Sequence, residues 1–325
     1  MQTTLTLKEL YKPVEAELET VRANIAELWA DALRLVYRDN PPPFPVSGKM
    51  LRPAMSLLSA AAIGAKDTSK FVPLATAMEL LHLAALAHDD VIDGANLRHG
   101  ARSLNAMWDN HTAVLGGDYL VARAIDIMGV YNSYKVIANA IRSVREMAEG
   151  ELIYFGRGDE DYSPEACISL ARQKTASLFA VACSTPGCLM QGEAHAGLHA
   201  YGLAFGIAFQ LIDDLLDLSQ DPETLGKPTL GDIVEGKKTL PIIYMREMLD
   251  AAGKARFDRL KGTTLTSDDR SWIAELLDAS GARDKTEALA REYADDAKSE
   301  IAGLSASPYR EALMNLTEFV VARAS

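Results

Sequence analysis

Residues 70–93 read Lys-Phe-Val-Pro-Leu-Ala-Thr-Ala-Met-Glu-Leu-Leu-His-Leu-Ala-Ala-Leu-Ala-His-Asp-Asp-Val-Ile-Asp, and this stretch decides the fold. Leucine and alanine fall on more than one face of the helix it predicts, and a helix apolar nearly all round is a buried one. Its end has the opposite character, with Asp89, Asp90 and Asp93 crowding the last turn. A helix C-terminus is already partly negative, so this placement is electrostatically poor. Something cationic must compensate. Residues 195–218 repeat the design, an apolar segment that closes on Asp213-Asp214-Leu215-Leu216-Asp217.

Around these two segments apolar residues recur at three- and four-residue spacing nearly everywhere, and strand-like alternation is scarce. Leu7, Leu10, Val14, Leu18, Val21, Ile25, Leu28, Ala32 and Leu35 form one face of a helix running to about Tyr37. Asn40-Pro41-Pro42-Pro43-Phe44-Pro45 then breaks it, because proline removes a donor and restricts its neighbour. The same periodicity predicts helices at about 51–64, 113–130, 134–155, 163–185, 232–250, 267–280, 283–303 and 308–323. Ser163-Pro164-Glu165 carries a start signal, with serine as cap and proline in the first turn. No internal repeat, low-complexity tract or midway linker divides the pattern. Residues 1–325 are therefore expected to form one all-α domain.

The chain has 325 residues, 48% of them hydrophobic, which is enough for a large core, and a formal net charge of -12. That charge opposes general affinity for nucleic acid or anionic membrane. An anionic substrate would need a local cluster of cations or bound metal. Three cysteines (Cys167, Cys183 and Cys188) are an odd count without metal-ligand spacing, which predicts a reducing compartment. The N-terminus lacks the charged start and apolar run of a signal peptide. No apolar stretch looks both long and uninterrupted enough to span a bilayer. The expectation is a soluble cytoplasmic protein.

Residues four apart on a helix lie about 5–6 Å apart at their β-carbons. Asp89 and Asp93 can thus offer oxygens to shared hard cations while Asp90 points sideways, and Asp213 and Asp217 repeat the geometry. Magnesium favours one or two carboxylates completed by water and substrate phosphate oxygens. Cations recur beside these motifs. Lys49 and Arg52 lie three apart at a helix start, where backbone donors also favour an anion. Arg98 follows the first acidic motif, Arg172, Lys174 and Thr175 share a later helix, and Lys227, Lys237 and Lys238 follow the second motif. His82 lies seven residues before Asp89, on its face, and His88 is a candidate to support the aspartates by hydrogen bonding.

From Gly48 to Pro241 this order of motifs resembles the trans-prenyl diphosphate synthases, or polyprenyl synthetases. The resemblance rests on Gly48-Lys49-x-x-Arg52-Pro53, Asp89-Asp90-x-x-Asp93, Lys174-Thr175, Phe209-Gln210-x-x-Asp213-Asp214-x-x-Asp217, Gly226-Lys227-Pro228 and Gly236-Lys237. It implies a helical bundle around a deep central cavity, in a homodimer. Three magnesium ions would bridge an allylic diphosphate to Asp89, Asp93 and Asp213, with Asp90 and Asp217 completing the acidic set. Arg98, Lys174, Thr175, Gln210, Lys227 and Lys237 would contact that diphosphate. Lys49, Arg52, His82 and His99 would bind isopentenyl diphosphate. His99 stands where the family usually has a second arginine. Neutral imidazole offers one donor in place of a permanent forked cation, so weaker or more pH-dependent binding is expected there.

Five, four and eight residues before Asp89 stand Ala84, Ala85 and Leu81. Short-chain members of the family place a bulky aromatic at the fourth or fifth position. Two alanines imply an open tunnel and a product longer than geranylgeranyl diphosphate, with a floor from another helix, near Met147 to Tyr154. The alternatives are a shorter-chain synthase, a terpene cyclase, and a non-catalytic subunit of a heteromeric synthase. The cyclase is opposed by Asp217, Lys49 and Arg52, and the silent subunit by two complete acidic motifs.

Overall fold

The computed structural model describes residues 5–36, 48–94, 97–98, 101–102, 109–156, 163–219 and 229–323. The chain opens with α1 (Leu7–Tyr11), a 3-10 turn at Lys12–Val14 and α2 (Glu15–Val36). α3 (Leu51–Ala62) is the central helix, and all 12 of its residues are buried. α4 (Val72–Ile92) leads to a short antiparallel pair, β1 (Leu97–Arg98) and β2 (Ala101–Arg102), with Leu97 opposite Arg102. Then come α5 (Asn110–Met128), α6 (Tyr134–Gly156) and α7 (Pro164–Ala171). A π-helical turn at Arg172–Ala176 joins α7 to α8 (Ser177–Ser184), followed by α9 (Pro186–Met190) and α10 (Ala196–Ser219). The C-terminal part contains α11 (Gly231–Glu235), α12 (Leu240–Glu247), α13 (Ala251–Asp258), α14 (Ser267–Ser280), α15 (Ala282–Ile301) and α16 (Pro308–Ala322).

The all-α expectation holds. α3 packs on α4, α8 and α16, while α4 runs along α5, and α10 lies along α8 and α15. One large core joins α2, α3, α4, α8 and α10 through residues such as Ile25, Leu57, Met78, Phe179 and Phe205. A second gathers Leu215, Ile233, Ile242, Phe257, Ile273 and Leu277 under the end of α10.

The predicted 232–250 helix is two helices. Gly236 adopts φ 73°, a left-handed conformation that glycine tolerates at no steric cost, and Pro241 then starts α12. The resulting turn places Lys237 over the acidic cluster described below. The predicted 163–185 helix carries the π turn, a feature that often marks functional sites. α13 was not predicted.

The reading that no stretch could span a membrane also needs amendment. Thr68–Ile92 is long and apolar enough by length and composition, but 67% of its apolar window is buried inside the protein. Its hydrophobicity serves the core.

Candidate active site

α4 changes character along its length. From Val72 to Leu81 nearly every residue is buried, whereas beyond Leu81 burial falls only on Ala84, Ala87 and Asp90, every third position. His82, Ala85 and Asp89, near one another on the helix surface, are half-buried. Here the helix leaves the core and forms the wall of a cleft. On the facing α10, Phe209, Gln210 and Asp213 are the half-buried residues of an otherwise buried run.

The expected cations are present. Lys174, in the π turn, lies 3.5 Å from Asp89 Oδ2 and also pairs with Glu151 on α6. Lys237 lies 3.8 Å from Asp93 Oδ2, 3.4 Å from Asp232 and 2.5 Å from Glu235. Burial works against the Lys174 ammonium, but Asp89, Glu151 and Asp93 outweigh it and hold its pKa above the usual lysine value. Lys237 is likewise held high, burial being overcome by Asp232, Glu235 and Asp93. Both lysines stay charged at any physiological pH.

The aspartates divide into two kinds. Asp89 and Asp93 expose 19% and 22% of their side chains, and Asp213 exposes 43%. Asp90 is 2% exposed, the outcome of its sideways direction. Asp217 is buried as well. It is 2% exposed, and its Oδ2 accepts the Asp232 backbone N–H at 3.0 Å. It secures the start of α11, so helical spacing paired it with Asp213 but burial separates them. The buried Asp214 carboxyl is pushed well above the usual range by desolvation and Asp232. It accepts a hydrogen bond from Gln210 at 2.7 Å, and Gln210 accepts one from Thr175, also at 2.7 Å. That chain fixes Thr175 and Gln210 side by side.

A second group of cations stands on aromatic rings. Arg52 is buried and stacks 4.1 Å from the Phe179 ring centre. Lys49 lies 5.8 Å from the Phe209 ring centre and Arg323, at the end of α16, 5.4 Å from it. The two rings are themselves 5.6 Å apart. Cations over ring faces are attracted by the ring quadrupole while keeping donors for an anion. The Tyr11 hydroxyl donates to the Lys49 carbonyl at 2.8 Å, which ties α1 to this segment. Arg323 also donates to Asp213 at 3.2 Å.

His88 does not support the aspartates. Its Nε2 meets the Val114 carbonyl at 3.2 Å and Asp118 at 3.4 Å, both on α5. A carbonyl only accepts, so Nε2 carries the proton. The contact depends on Gly117, where a β-carbon would lie 2.3 Å from that nitrogen. Gly117→Ala should therefore swing the part-exposed imidazole off Val114 and Asp118. We expect little net change in urea unfolding, because alanine is better than glycine inside a helix by about 1 kcal/mol and offsets the lost contact.

Several expectations lie outside the described residues, namely His99, Lys227 and the Arg98 side chain; the Arg98 backbone belongs to β1. His82 borders the cleft, and Leu81 and Ala84 are buried in the core. Glu151 and Arg323 were not foreseen. Glu151 sits on a helix whose charges all look solvated in sequence, and Arg323 is 110 residues from its partner.

Among the described residues no three acidic, cysteine or histidine side chains form a ready-made metal cage. The donor set still fits hard divalent cations, because Asp89, Asp93 and Asp213 are open carboxylates and phosphate oxygens would complete the shell.

A profile of the polyprenyl synthetase family matches residues 43–277. The all-trans-nonaprenyl-diphosphate synthase (geranyl-diphosphate specific) of Rhodobacter capsulatus is 33% identical over 97% of this chain and 98% of its own length. The octaprenyl diphosphate synthase of Escherichia coli is 35% identical, over 85% of this chain and 86% of its own. A crystal structure of a polyprenyl synthase from Caulobacter crescentus, complexed with calcium and isoprenyl diphosphate, superposes with a TM-score of 0.88. It shares 35% identity and covers 100% of both chains.

Proposed function

The chain belongs to the polyprenyl synthetase family, and we propose that it is a long-chain trans-polyprenyl diphosphate synthase, a prenyltransferase that joins isopentenyl diphosphate head-to-tail to an allylic diphosphate. The observation that carries this reading is the pairing of two anion-binding groups across one cleft. One is acidic and lysine-backed (Asp89, Asp93, Lys174, Lys237), and the other gathers three cations on aromatic rings (Lys49, Arg52, Arg323).

In this reading Asp89, Asp93 and Asp213 would hold three magnesium ions, which would supply charge neutralisation for the departing diphosphate. Lys174, Lys237, Thr175 and Gln210 bind and orient the allylic diphosphate, with Arg98 and Lys227 beside them. Lys49, Arg52, His82 and His99 hold isopentenyl diphosphate, and Arg323 adds a further cation there. The allylic carbon–oxygen bond breaks and its electron pair leaves with the diphosphate. The isopentenyl double bond then attacks the allylic cation, forming the new carbon–carbon bond. The proton lost from the isopentenyl unit goes to the released diphosphate, so no protein nucleophile is needed. Preorganised cations aimed at the developing charge are the main catalytic device.

The absence of an aromatic residue at Ala84 and Ala85 supports the long-chain product. A second copy of the chain is proposed to cover apolar side chains of α5 and α6, where Leu115, Ile141 and Leu152 are 66%, 50% and 73% exposed. A cytoplasmic location accords with three buried free cysteines. Diphosphate release from farnesyl diphosphate tests the reaction class. We expect release only when isopentenyl diphosphate and magnesium are both present, and none after chelation. Release from farnesyl diphosphate alone would point to a cyclase, and no release under any condition to a silent subunit.

A further inference from the structure

One buried carboxylate takes no part in the reaction as derived. Glu79 lies on α4, three residues before His82, and is 5% exposed. Its Oε1 is 3.4 Å from the position a β-carbon on Gly48 would take, so the Gly48 backbone lies beside the carboxyl. The charged and titratable groups whose fields couple to it are Arg52 on α3, Arg22 on α2 and Tyr11 on α1, none of them in a direct ion pair with it among the described residues. Lys49 follows Gly48 in the chain, and His82 lies one turn beyond Glu79 on α4. Arg52 is the deepest cation of the second diphosphate subsite, and burial lowers its pKa to about 10 against the pull of Glu79.

We propose that Glu79 is a proton-linked counter-ion of the isopentenyl diphosphate subsite, balancing Arg52 when the subsite is empty and taking up a proton when the diphosphate lies against Lys49 and Arg52. The inference rests on the functional reading above. An unaccompanied buried guanidinium is costly, and a nearby carboxylate offsets that cost. Once a diphosphate supplies the counter-charge, the carboxylate becomes a like charge in a desolvated corner. Like charges disfavour ionisation, so the proton is retained on Glu79 in the complex.

The group is placed to respond. Burial raises Glu79 to about 7, against the opposing pull of Arg52 and Arg22. The diphosphate raises it further in the complex. Affinity is therefore full below about pH 7 and falls as pH rises through that value, by up to about tenfold per unit until the bound form also ionises.

Titration calorimetry tests this. Isopentenyl diphosphate is added to enzyme loaded with magnesium and farnesyl S-thiolodiphosphate, whose carbon–sulfur bond does not ionise readily, in buffers of different protonation enthalpy. Wild type should take up more protons than Glu79→Gln, the excess being about half a proton near pH 7.5. Glu79→Gln, a mimic of the protonated acid, should bind like wild type near pH 6 and about tenfold more tightly near pH 8.5. His99 and the ligand's own phosphate titrate in both proteins and cancel in the comparison. Glu79→Asp keeps the charge and should keep the linkage, which guards against a folding artefact.

Equal proton uptake by wild type and Glu79→Gln would overturn the proposal. So would weaker binding by Glu79→Gln at every pH, which would make the carboxylate a fixed brace for Arg52. Failure of all three proteins to bind isopentenyl diphosphate, with the analogue still bound, would instead remove the functional reading itself.

Discussion

Asp89→Asn should lower kcat/KM by about a thousandfold or more while leaving the melting temperature unchanged or slightly raised. Asparagine keeps the shape but loses the charge that would hold a divalent cation at the cleft. The loss of one preorganised electrostatic contact to a transition state costs about 10²–10³ in rate, and losing a cation that neutralises a leaving diphosphate sits at the upper end. Lys174 would stay paired with Glu151, so the active lysine is not set adrift. Stability should not suffer, because Asp89 lies in the last turn of α4, where a negative charge opposes the helix dipole. Removing such a charge is worth about 0.3–1 kcal/mol in favour of folding. Steady-state kinetics and a thermal melt on the same preparation check both halves. Joint loss of activity and stability would mean that Asp89 is part of the scaffold.

Ala85→Phe should shorten the product to a chain near farnesyl or geranylgeranyl length. Ala85 is half-buried and one turn before Asp89 on its face, so a phenyl group there enters the cleft below the diphosphate. Helical side chains lean toward the helix N-terminus, which carries the ring farther down, toward His82. Ala84, which looked equivalent in the sequence, is 1% exposed and surrounded by core residues. Ala84→Phe should therefore overpack the core, costing about 1–3 kcal/mol. Product sizing and urea unfolding of the two variants separate the roles. A shortened product from Ala84→Phe, with Ala85→Phe unchanged, would reverse them.

That pair shows what a sequence can and cannot display. Helical spacing gave the direction of each side chain about its own axis, and so found Asp89 and Asp93 together and Asp90 turned aside. The need for compensating cations at the two acidic helix ends was also legible, and Lys174, Lys237 and Arg323 meet it. Spacing does not say which helix stands opposite. Asp213 and Asp217 share a face, yet α11 folds back over Asp217 and uses it as an anchor. Arg323 comes from the far end of the chain by the packing of α16 on α3 and α10, for which no local signal exists. The break at Gly236 leaves no mark on the apolar pattern, which keeps the helical period on either side. α13 was missed because its Ala-Ala-Gly-Lys-Ala-Arg-Phe-Asp sequence buries only Phe257 and offers no apolar stripe.

Glu79 belongs to the same lesson. In the sequence it is one acidic residue inside an apolar helix, and only the approach of Gly48 and the pull of Arg52 and Arg22 show its surroundings. Its neighbours make it part of the second subsite.

The most direct test of the central claim is to size the products formed from farnesyl diphosphate, labelled isopentenyl diphosphate and magnesium. An elongating enzyme with an open tunnel beneath Asp89 should yield a series that ends well beyond geranylgeranyl diphosphate. A series that stops at or before geranylgeranyl diphosphate, or no incorporation of label at all, would contradict it.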